Sequence, residues 1–258
     1  MKKGYRGLSS EAARIVRQRG YDDAMEFALA IGLDVDYKRD PKAKKDVIDP
    51  SGDAHSVKGG EKKWQIFLYG RSRFSNDEFF QVMNGIGNLL IACIDSFPAS
   101  FEAYQRDKQR YKENLRPHMV ALKEKLQEPN RLKALISKSM FNGGEVNYLT
   151  VKEKEVFHVF WGRQIINLFI SRVDVVNSRA ISYHQTPEQK VVFKYESFNL
   201  GEIEMRNDTP IHYREIRFNM LKRKFMEMVF DNIKLKAKYN EFVYVYGDAI
   251  HKFGKWKK

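Results

Sequence analysis

The chain has 258 residues, of which 43% are hydrophobic and 13% aromatic, and this composition excludes a wholly disordered protein because it can supply a core. The 46 lysines and arginines outnumber the 33 aspartates and glutamates, and the resulting net charge of +13 favours a polyanionic partner, above all nucleic acid. The single cysteine excludes an intrachain disulfide and a zinc site made of several thiolates.

The sequence contains no apolar stretch of the length that a membrane span requires, and its first residues lack the apolar run of a signal peptide. We therefore expect a cytoplasmic protein that does not bind membranes. The length suits one large domain, so residues 1–258 are expected to form a single domain. The glycine pair Gly143-Gly144 indicates a soft internal boundary near residue 143.

Two helices are predicted near the N-terminus. The first begins at the capping pair Ser9-Ser10 and runs to about Arg19, before Gly20, which is expected to end it. The second covers residues 22–31, with acidic residues in its first turn, and ends at Gly32. A short helical pair is therefore expected ahead of the first strand.

A β-hairpin is predicted between Asp46 and Lys58. Its centre, Asp49-Pro50-Ser51-Gly52, matches a type I turn, and a left-handed glycine makes it a three-residue loop with a bulge. This register opposes Asp46 to Ser56, and residues that are opposed or two apart lie on one face. Asp46, Ser56 and Lys58 should therefore share a face, with His55 on the other. A slip of one residue would turn Asp46 away.

The centre of the sequence is predicted to be mainly helical. Residues 61–74 are basic and aromatic, and their pattern leaves strand and helix open. The predicted helices cover residues 79–97, a charged stretch from about 101 to 138 that is broken at Pro117 and Pro129, and residues 151–170.

The last part of the sequence is predicted to be rich in β-structure. Strands are expected at 191–195, 201–206 and 213–218, followed by a helix from 221 to about 236 that has one apolar face. Together these elements indicate an α+β (α/β) fold with a mixed central β-sheet flanked by helices and a late antiparallel hairpin.

The order Asp46, a short gap and then Ser56-Val57-Lys58 resembles the active site of the PD-(D/E)XK nuclease superfamily, in which an aspartate is followed by Glu/Asp-X-Lys. The resemblance implies Mg²⁺-dependent hydrolysis of DNA phosphodiester bonds. Asp46 would be a metal ligand, and Lys58 would stand near the attacking water and the developing charge.

Ser56 departs from that family pattern, because it occupies the position of the second acidic residue. Nucleases of this fold often recruit a glutamate from a helix that precedes the sheet, so the resemblance implies Glu26 as the second metal ligand. Glu11 and Glu78 are the alternatives. Asp46, Ser56, Lys58 and Glu26 are thus the expected catalytic residues.

Residues 198–206 and 213–218 resemble the late β-hairpin of small type II restriction endonucleases that cut G+C-rich four-base palindromes. The resemblance implies that these strands approach the major groove, where arginine can bind guanine through two hydrogen bonds. The expected DNA-binding residues are Arg206, Arg214, Arg217 and Lys194. Cross-strand ion pairs with Glu202, Glu204 and Glu215 are the alternative role of the arginines.

The resemblance as a whole implies a type II restriction endonuclease that needs Mg²⁺, binds double-stranded DNA and could act as a homodimer. Residues 1–142 would carry the catalytic hairpin, and residues 145–258 the DNA-recognition region. A non-catalytic, sequence-specific DNA-binding protein is the second hypothesis, and an RNA-processing nuclease the third. A facing Asp46–Lys58 pair favours the first, since a protein that only binds DNA needs no such pair.

Overall fold

The computed structural model describes residues 10–180 and 186–256. The chain divides into two compact units, and each consists of segments that are separate in the sequence. Unit 1 comprises Met1–Glu61, Met140–Asn167 and Val229–Lys258, and unit 2 comprises Lys62–Ser139 and Leu168–Met228. None of the described helices is long and apolar enough to cross a membrane.

The described residues form a run of six helices, from Arg71 to Phe141, between segments that are richer in strands. The helices are α1 (Ser10–Ala30), α2 (Arg71–Asn76), α3 (Glu78–Gln81), α4 (Ile86–Asp95), α5 (Phe101–Arg106), α6 (Lys108–Leu126), α7 (Pro129–Phe141), α8 (Gly162–Arg172) and α9 (Lys222–Asn232). The strands are β1 (Val47–Ile48), β2 (Ala54–Lys58), β3 (Lys63–Tyr69), β4 (Tyr148–Glu153), β5 (Val156–Trp161), β6 (Asp174–Asn177), β7 (Lys190–Tyr195), β8 (Phe198–Arg206), β9 (Glu215–Leu221), β10 (Leu235–Lys238) and β11 (Val243–Tyr246).

The architecture is α+β, with two sheets flanked by helices. A mixed six-stranded sheet has the order β1-β2-β4-β5-β11-β10, and a five-stranded sheet has the order β3-β9-β8-β7-β6. The expectation of one central mixed sheet is therefore corrected. The order of strands in the sequence does not show which strands join the same sheet, so the sequence pattern did not separate the two sheets.

Helix α1 covers one face of the six-stranded sheet in unit 1. Its buried residues Ala24, Phe27 and Ala28, with Ile31 directly after its last residue, follow the i, i+3, i+4, i+7 spacing of an apolar stripe. The Phe27 ring lies 4.9 Å from the His55 ring of β2, between ring centroids. The stripe thus places α1 on the His55 side of the sheet.

The two predicted N-terminal helices are one continuous helix, α1. Gly20 is helical and lies outside the left-handed region, so it costs about 1 kcal/mol relative to alanine without ending the helix. The predicted stop at Gly32 is confirmed, since its φ of +88° is the left-handed value that ends many helices. The predicted cap Ser9 lies outside the described residues.

The predicted late hairpin is confirmed in unit 2. Strands β8 and β9 pair antiparallel, with Glu204 opposite Arg217 and Arg206 opposite Glu215. One face of the sheet buries Phe193, Ile203 and Phe218. Because side chains alternate along a strand, the charged residues of β8 and β9 fall on the other face.

The secondary structure of three segments in the middle of the chain differs from the expectation or settles an open alternative. Residues 151–170, predicted as a helix, form the second half of β4, all of β5 and most of α8, and Lys154 makes the turn between the strands with a φ of 53°. Pro117 lies inside α6 rather than breaking it, whereas Pro129 begins α7, where its missing N–H leaves no helical hydrogen bond unmade. Residues 61–74, whose sequence pattern fits both a strand and a helix, contain β3 and the first part of α2.

Candidate active site and nucleic-acid interface

The hairpin has the predicted register. Val47 pairs with His55 and Ile48 with Ala54, and the main-chain N–H of Asp49 donates to the Asp53 carbonyl at 2.9 Å. Gly52 has a φ of +86°, as the three-residue loop requires. The turn chemistry therefore sets the register that opposes Asp46 to Ser56.

Asp46, Ser56 and Lys58 meet on one face of this hairpin, and we call them the Asp46 cluster. Lys58 Nζ donates to Ser56 Oγ at 2.7 Å and lies 3.6 Å from Asp46 Oδ2. Ser56 Oγ donates to the same carboxylate oxygen at 3.4 Å, and the Val57 main-chain N–H does so at 2.8 Å. The predicted shared face is confirmed.

The surrounding sheet holds the Asp46 cluster in place. Strand β2 is internal, since β1 pairs with it on one side and β4 runs parallel to it on the other. Ser56 is fully buried, whereas the side chains of Asp46 and Lys58 are each 26% exposed. The two charged groups therefore keep access to a ligand, and the strand that carries Lys58 is paired on both sides.

The donor set of the Asp46 cluster can supply part of a Mg²⁺ site. Mg²⁺ is usually bound through one or two carboxylates, with waters and substrate phosphates completing the octahedron. Asp46 supplies one carboxylate, whose Oδ2 already accepts three contacts from neighbouring donors. Within residues 10–180 and 186–256, no group of three or more His, Cys, Asp or Glu side chains is arranged to hold a metal. A Mg²⁺ ion that was shared with a substrate phosphate would have Asp46 as its ligand from this cluster.

The structure does not bring Glu26 to the Asp46 cluster. Glu26 lies on α1 and binds the Lys152 ammonium, which also lies 3.0 Å from Asp23. Lys152 follows Val151, the residue paired with Lys58, so its side chain projects to the opposite face of the sheet. The apolar stripe of α1 therefore places Glu26 on the face of the sheet opposite Asp46.

The two alternative glutamates are also located. Glu11 stands in the first turn of α1, where it accepts a hydrogen bond from Arg14 at 2.9 Å. Glu78 belongs to unit 2 and stands in the first turn of α3. Asp46 remains the carboxylate that the structure places beside Ser56 and Lys58.

His55 occupies a buried polar network behind the Asp46 cluster. Its Nδ1 lies 2.9 Å from Thr150 Oγ1 and its Nε2 lies 3.4 Å from Asp49 Oδ2, while its ring stacks on Tyr148 at 4.5 Å. Burial lowers the pKa of His55, against the opposing effect of Asp49. The predicted location on the opposite face is confirmed. The partners Tyr148 and Thr150 were missed because they precede the predicted helix 151–170 and belong to no predicted element.

Three of the four expected DNA-binding residues lie on the polar face of the five-stranded sheet in unit 2. Arg217 Nε donates to Glu204 Oε1 at 3.0 Å, which confirms the predicted cross-strand ion pair. Arg206 binds Asp208 through two hydrogen bonds of 2.7 and 3.3 Å. Lys194 lies on the same face of β7 as Lys190 and Val192.

Arg214 is separated from the other three. It precedes β9 with a φ of +64° and donates to Asp95 Oδ1 at 3.0 Å. Asp95 also accepts hydrogen bonds from Arg71 Nε, at 3.1 and 3.3 Å. The polar face of the sheet thus collects Lys194, Arg206 and Arg217, and Arg214 belongs to a different surface cluster.

Comparison of the chain with protein-family models, with curated proteins and with solved structures finds no match. The resemblance to PD-(D/E)XK nucleases therefore rests on the residues of this chain and on the geometry of the Asp46 cluster.

Proposed function

We propose that this protein is a Mg²⁺-dependent endonuclease of the PD-(D/E)XK type, which cleaves duplex DNA at a short specific sequence as type II restriction endonucleases do. The observation that carries the proposal is the contact of Asp46, Ser56 and Lys58 on one face of a hairpin, in the register that the resemblance requires. The net charge of +13 supports a polyanionic substrate.

Asp46 and Lys58 have complementary roles in this proposal. A bound Mg²⁺ would polarise the scissile phosphate and neutralise developing charge, and Asp46 is the residue that would hold it. The Lys58 ammonium, oriented by Ser56 Oγ at 2.7 Å, stands where it can hold a water beside the phosphate and stabilise negative charge. Lys58 lies on the internal strand β2, and the Val57 N–H of that strand holds Asp46, so the reaction requires less reorganisation of these groups.

Ser56 would act through Lys58. A neutral hydroxyl is a poor Mg²⁺ ligand, but here it accepts a hydrogen bond from Lys58 and donates one to Asp46. It therefore links the two charged groups and keeps the ammonium on the same face as the carboxylate. The cluster contains one negative and one positive side chain, so an added cation would meet less negative charge than in a site with two carboxylates.

Unit 2 would supply the recognition of DNA. Arg206 and Arg217 on the late hairpin, with Lys194 beside them, are donors that suit guanine edges or phosphates. Cleavage of a palindromic site would suit a homodimer, whose twofold symmetry matches that of the target. Such an enzyme would act in the cytoplasm.

The proposed activity is tested by incubating the purified chain with a panel of plasmids in the presence of Mg²⁺, with EDTA as the control. We expect discrete fragments whose sequenced ends share one short motif. A DNA-binding protein without nuclease activity, the second hypothesis, would instead shift the plasmids in a binding assay and leave them uncut at every Mg²⁺ concentration.

A further inference from the structure

A polar cleft of about 670 Å³ lies in unit 2, over the polar face of β7 and β8 and beside α6. Lys190, Val192 and Lys194 from β7 and Glu202 and Glu204 from β8 line it. Its volume is in the range of sites that hold small molecules or single nucleotides. We refer to it as the polar cleft.

Two amide side chains give the polar cleft unused hydrogen-bond acceptors. Asn177 Nδ2 donates to the carbonyls of Met119 and Lys190, at 3.1 and 3.2 Å. Gln189 Nε2 donates to the carbonyls of Lys112 and Pro187, at 2.9 and 3.3 Å. These bonds assign the orientation of both amides, since only the nitrogen can face a carbonyl.

The oxygens of the same two amides, Asn177 Oδ1 and Gln189 Oε1, are buried and have no hydrogen-bond partner within the described part of the chain. Buried acceptors are normally satisfied, and an unpaired one costs about 1–3 kcal/mol. Both residues line the polar cleft. A ligand whose N–H donors reached these oxygens would recover this cost.

The carboxylates of the polar cleft add further acceptors. Glu204 is held by Lys190 and by Arg217, and Glu202 accepts a hydrogen bond from Lys190 at 3.1 Å. Burial by itself raises the pKa of Glu204, but these cations outweigh burial and lower it, so this carboxylate is ionised. The lining is thus rich in acceptors that a donor-bearing ligand can use.

Lys112 and Lys194 give the polar cleft two cations for an anionic group. Both line it, and neither forms an ion pair with a carboxylate in residues 10–180 and 186–256. An ammonium group is a common partner of phosphate. The cleft therefore combines acceptors for N–H groups with cations for an anion.

We propose that the polar cleft binds a nucleotide whose base carries an exocyclic amino group, with its phosphate at Lys112 and Lys194. Cytosine, adenine and guanine carry such a group. Uracil and thymine have a carbonyl oxygen where cytosine has its amino group, and this oxygen would face the acceptors of the cleft. The nucleotide is either a free monophosphate or part of a DNA strand. This binding site does not depend on chemistry at Asp46.

The ligand itself provides the sharpest test, since dCMP and dUMP differ at the group that the amide oxygens would bind. The full chain is titrated calorimetrically in EDTA with dCMP, dUMP and deoxycytidine, and separately with twelve-residue oligomers of deoxycytidylate and deoxyuridylate. We expect the cytosine ligand to bind at least about tenfold more tightly than its uracil counterpart, which is about 1.4 kcal/mol. Deoxycytidine, which lacks the phosphate, should bind at least about tenfold more weakly than dCMP.

Lys194→Met tests the phosphate contact, and Lys236→Met on exposed β10 is its matched control. The first variant should weaken the cytosine ligand at least about fivefold, and the second should leave it unchanged. A preference for dCMP over dUMP assigns the site to free nucleotides. A preference for cytosine that is found only with the oligomers assigns the site to DNA. Equal binding of cytosine and uracil ligands in both arms, or an unaffected Lys194→Met, overturns the proposal. Cleavage is not measured in these titrations, so their result can be distinguished from a failure of the proposed nuclease activity.

Discussion

The Asp46 carboxylate accepts a hydrogen bond of 2.8 Å from the main-chain N–H of Val57, across the hairpin from its own strand. This bond orients the carboxylate toward Ser56 and Lys58, the two residues that flank Val57. A carboxylate that is tied to the backbone of an internal strand has little rotamer freedom to lose when it binds a ligand. The local hairpin therefore preorganises the candidate active site.

Lys58 and Ser56 should differ in their effect on cleavage. We expect Lys58→Met to lower the single-turnover rate by about 100-fold or more, because it removes the cation nearest the developing charge. Ser56→Ala should lower it by only about tenfold, since the ammonium loses an orienting acceptor but remains present. Lys236→Met, an exposed lysine elsewhere in unit 1, is the control. A larger loss from Ser56→Ala than from Lys58→Met would contradict these roles.

Glu26→Gln should leave cleavage unchanged. Glu26 binds Lys152 on the face of the sheet opposite the Asp46 cluster, and Asp23 continues to pair with Lys152 in the variant. The Glu26 side chain is 49% exposed, so the free energy of unfolding should change by no more than about 0.5 kcal/mol. Rate constants of the variant and the wild type, measured side by side, check this expectation. A variant as inactive as Asp46→Asn would show that α1 does reach the metal.

His55 should make the stability of the protein depend on pH. Burial holds the pKa of folded His55 below its ordinary 6.5, so the unfolded chain takes up this proton first as the pH falls. The contribution of neutral His55 to the free energy of unfolding is therefore complete above pH 6.5, and it is lost as the pH falls below that value. When the pH is lowered from about 7.5 to about 5.5, we expect Tm to fall less in His55→Gln than in the wild type.

The exposed His251 provides the control for this measurement. His251→Gln should show the same pH dependence as the wild type. His55→Gln should also lower Tm at neutral pH, because Asp49 and Thr150 lose a buried partner at a cost of about 1–3 kcal/mol. Identical pH profiles for His55→Gln and the wild type would show that His55 does not carry the acid sensitivity.

Arg217 and Arg206 should contribute to recognition of the DNA sequence. If either contacts a guanine edge, its replacement by alanine should cost about 1–3 kcal/mol with a cognate duplex and little with a scrambled one, at matched salt. Arg223→Ala is the control, since this arginine is 87% exposed on α9. Equal losses on both duplexes from Arg206→Ala and Arg217→Ala would indicate phosphate contacts instead.

The hairpin could be predicted from the sequence because its determinants are local. The turn Asp49-Pro50-Ser51-Gly52 sets the loop, and the two-residue period of a strand then brings Asp46 to Ser56 and Lys58. The ion pair of Arg217 with Glu204 was foreseen for the same reason, as a cross-strand neighbour.

The partners of these residues could not be predicted in the same way. The apolar run Val156–Trp161 was interpreted as a helix, because a short apolar run fits a buried strand and a buried helix equally well. Thr150 precedes the predicted helix and belongs to no predicted element, so the network of His55 was not predicted either. The position of Glu26 depends on which face of the six-stranded sheet α1 covers, and no local feature of the helix sequence indicates that face.

The comparison of the wild type with Asp46→Asn tests the central claim most directly. Asparagine keeps the shape of the side chain and an oxygen that can accept the Val57 hydrogen bond, but it loses the charge that would hold Mg²⁺. Plasmid cleavage in Mg²⁺ and DNA binding in EDTA are measured on both proteins, with the exposed Asp248→Asn as the control. We predict that Asp46→Asn abolishes cleavage and retains wild-type affinity for DNA, while Asp248→Asn cuts normally. Cleavage by Asp46→Asn at the wild-type rate would place the active site elsewhere.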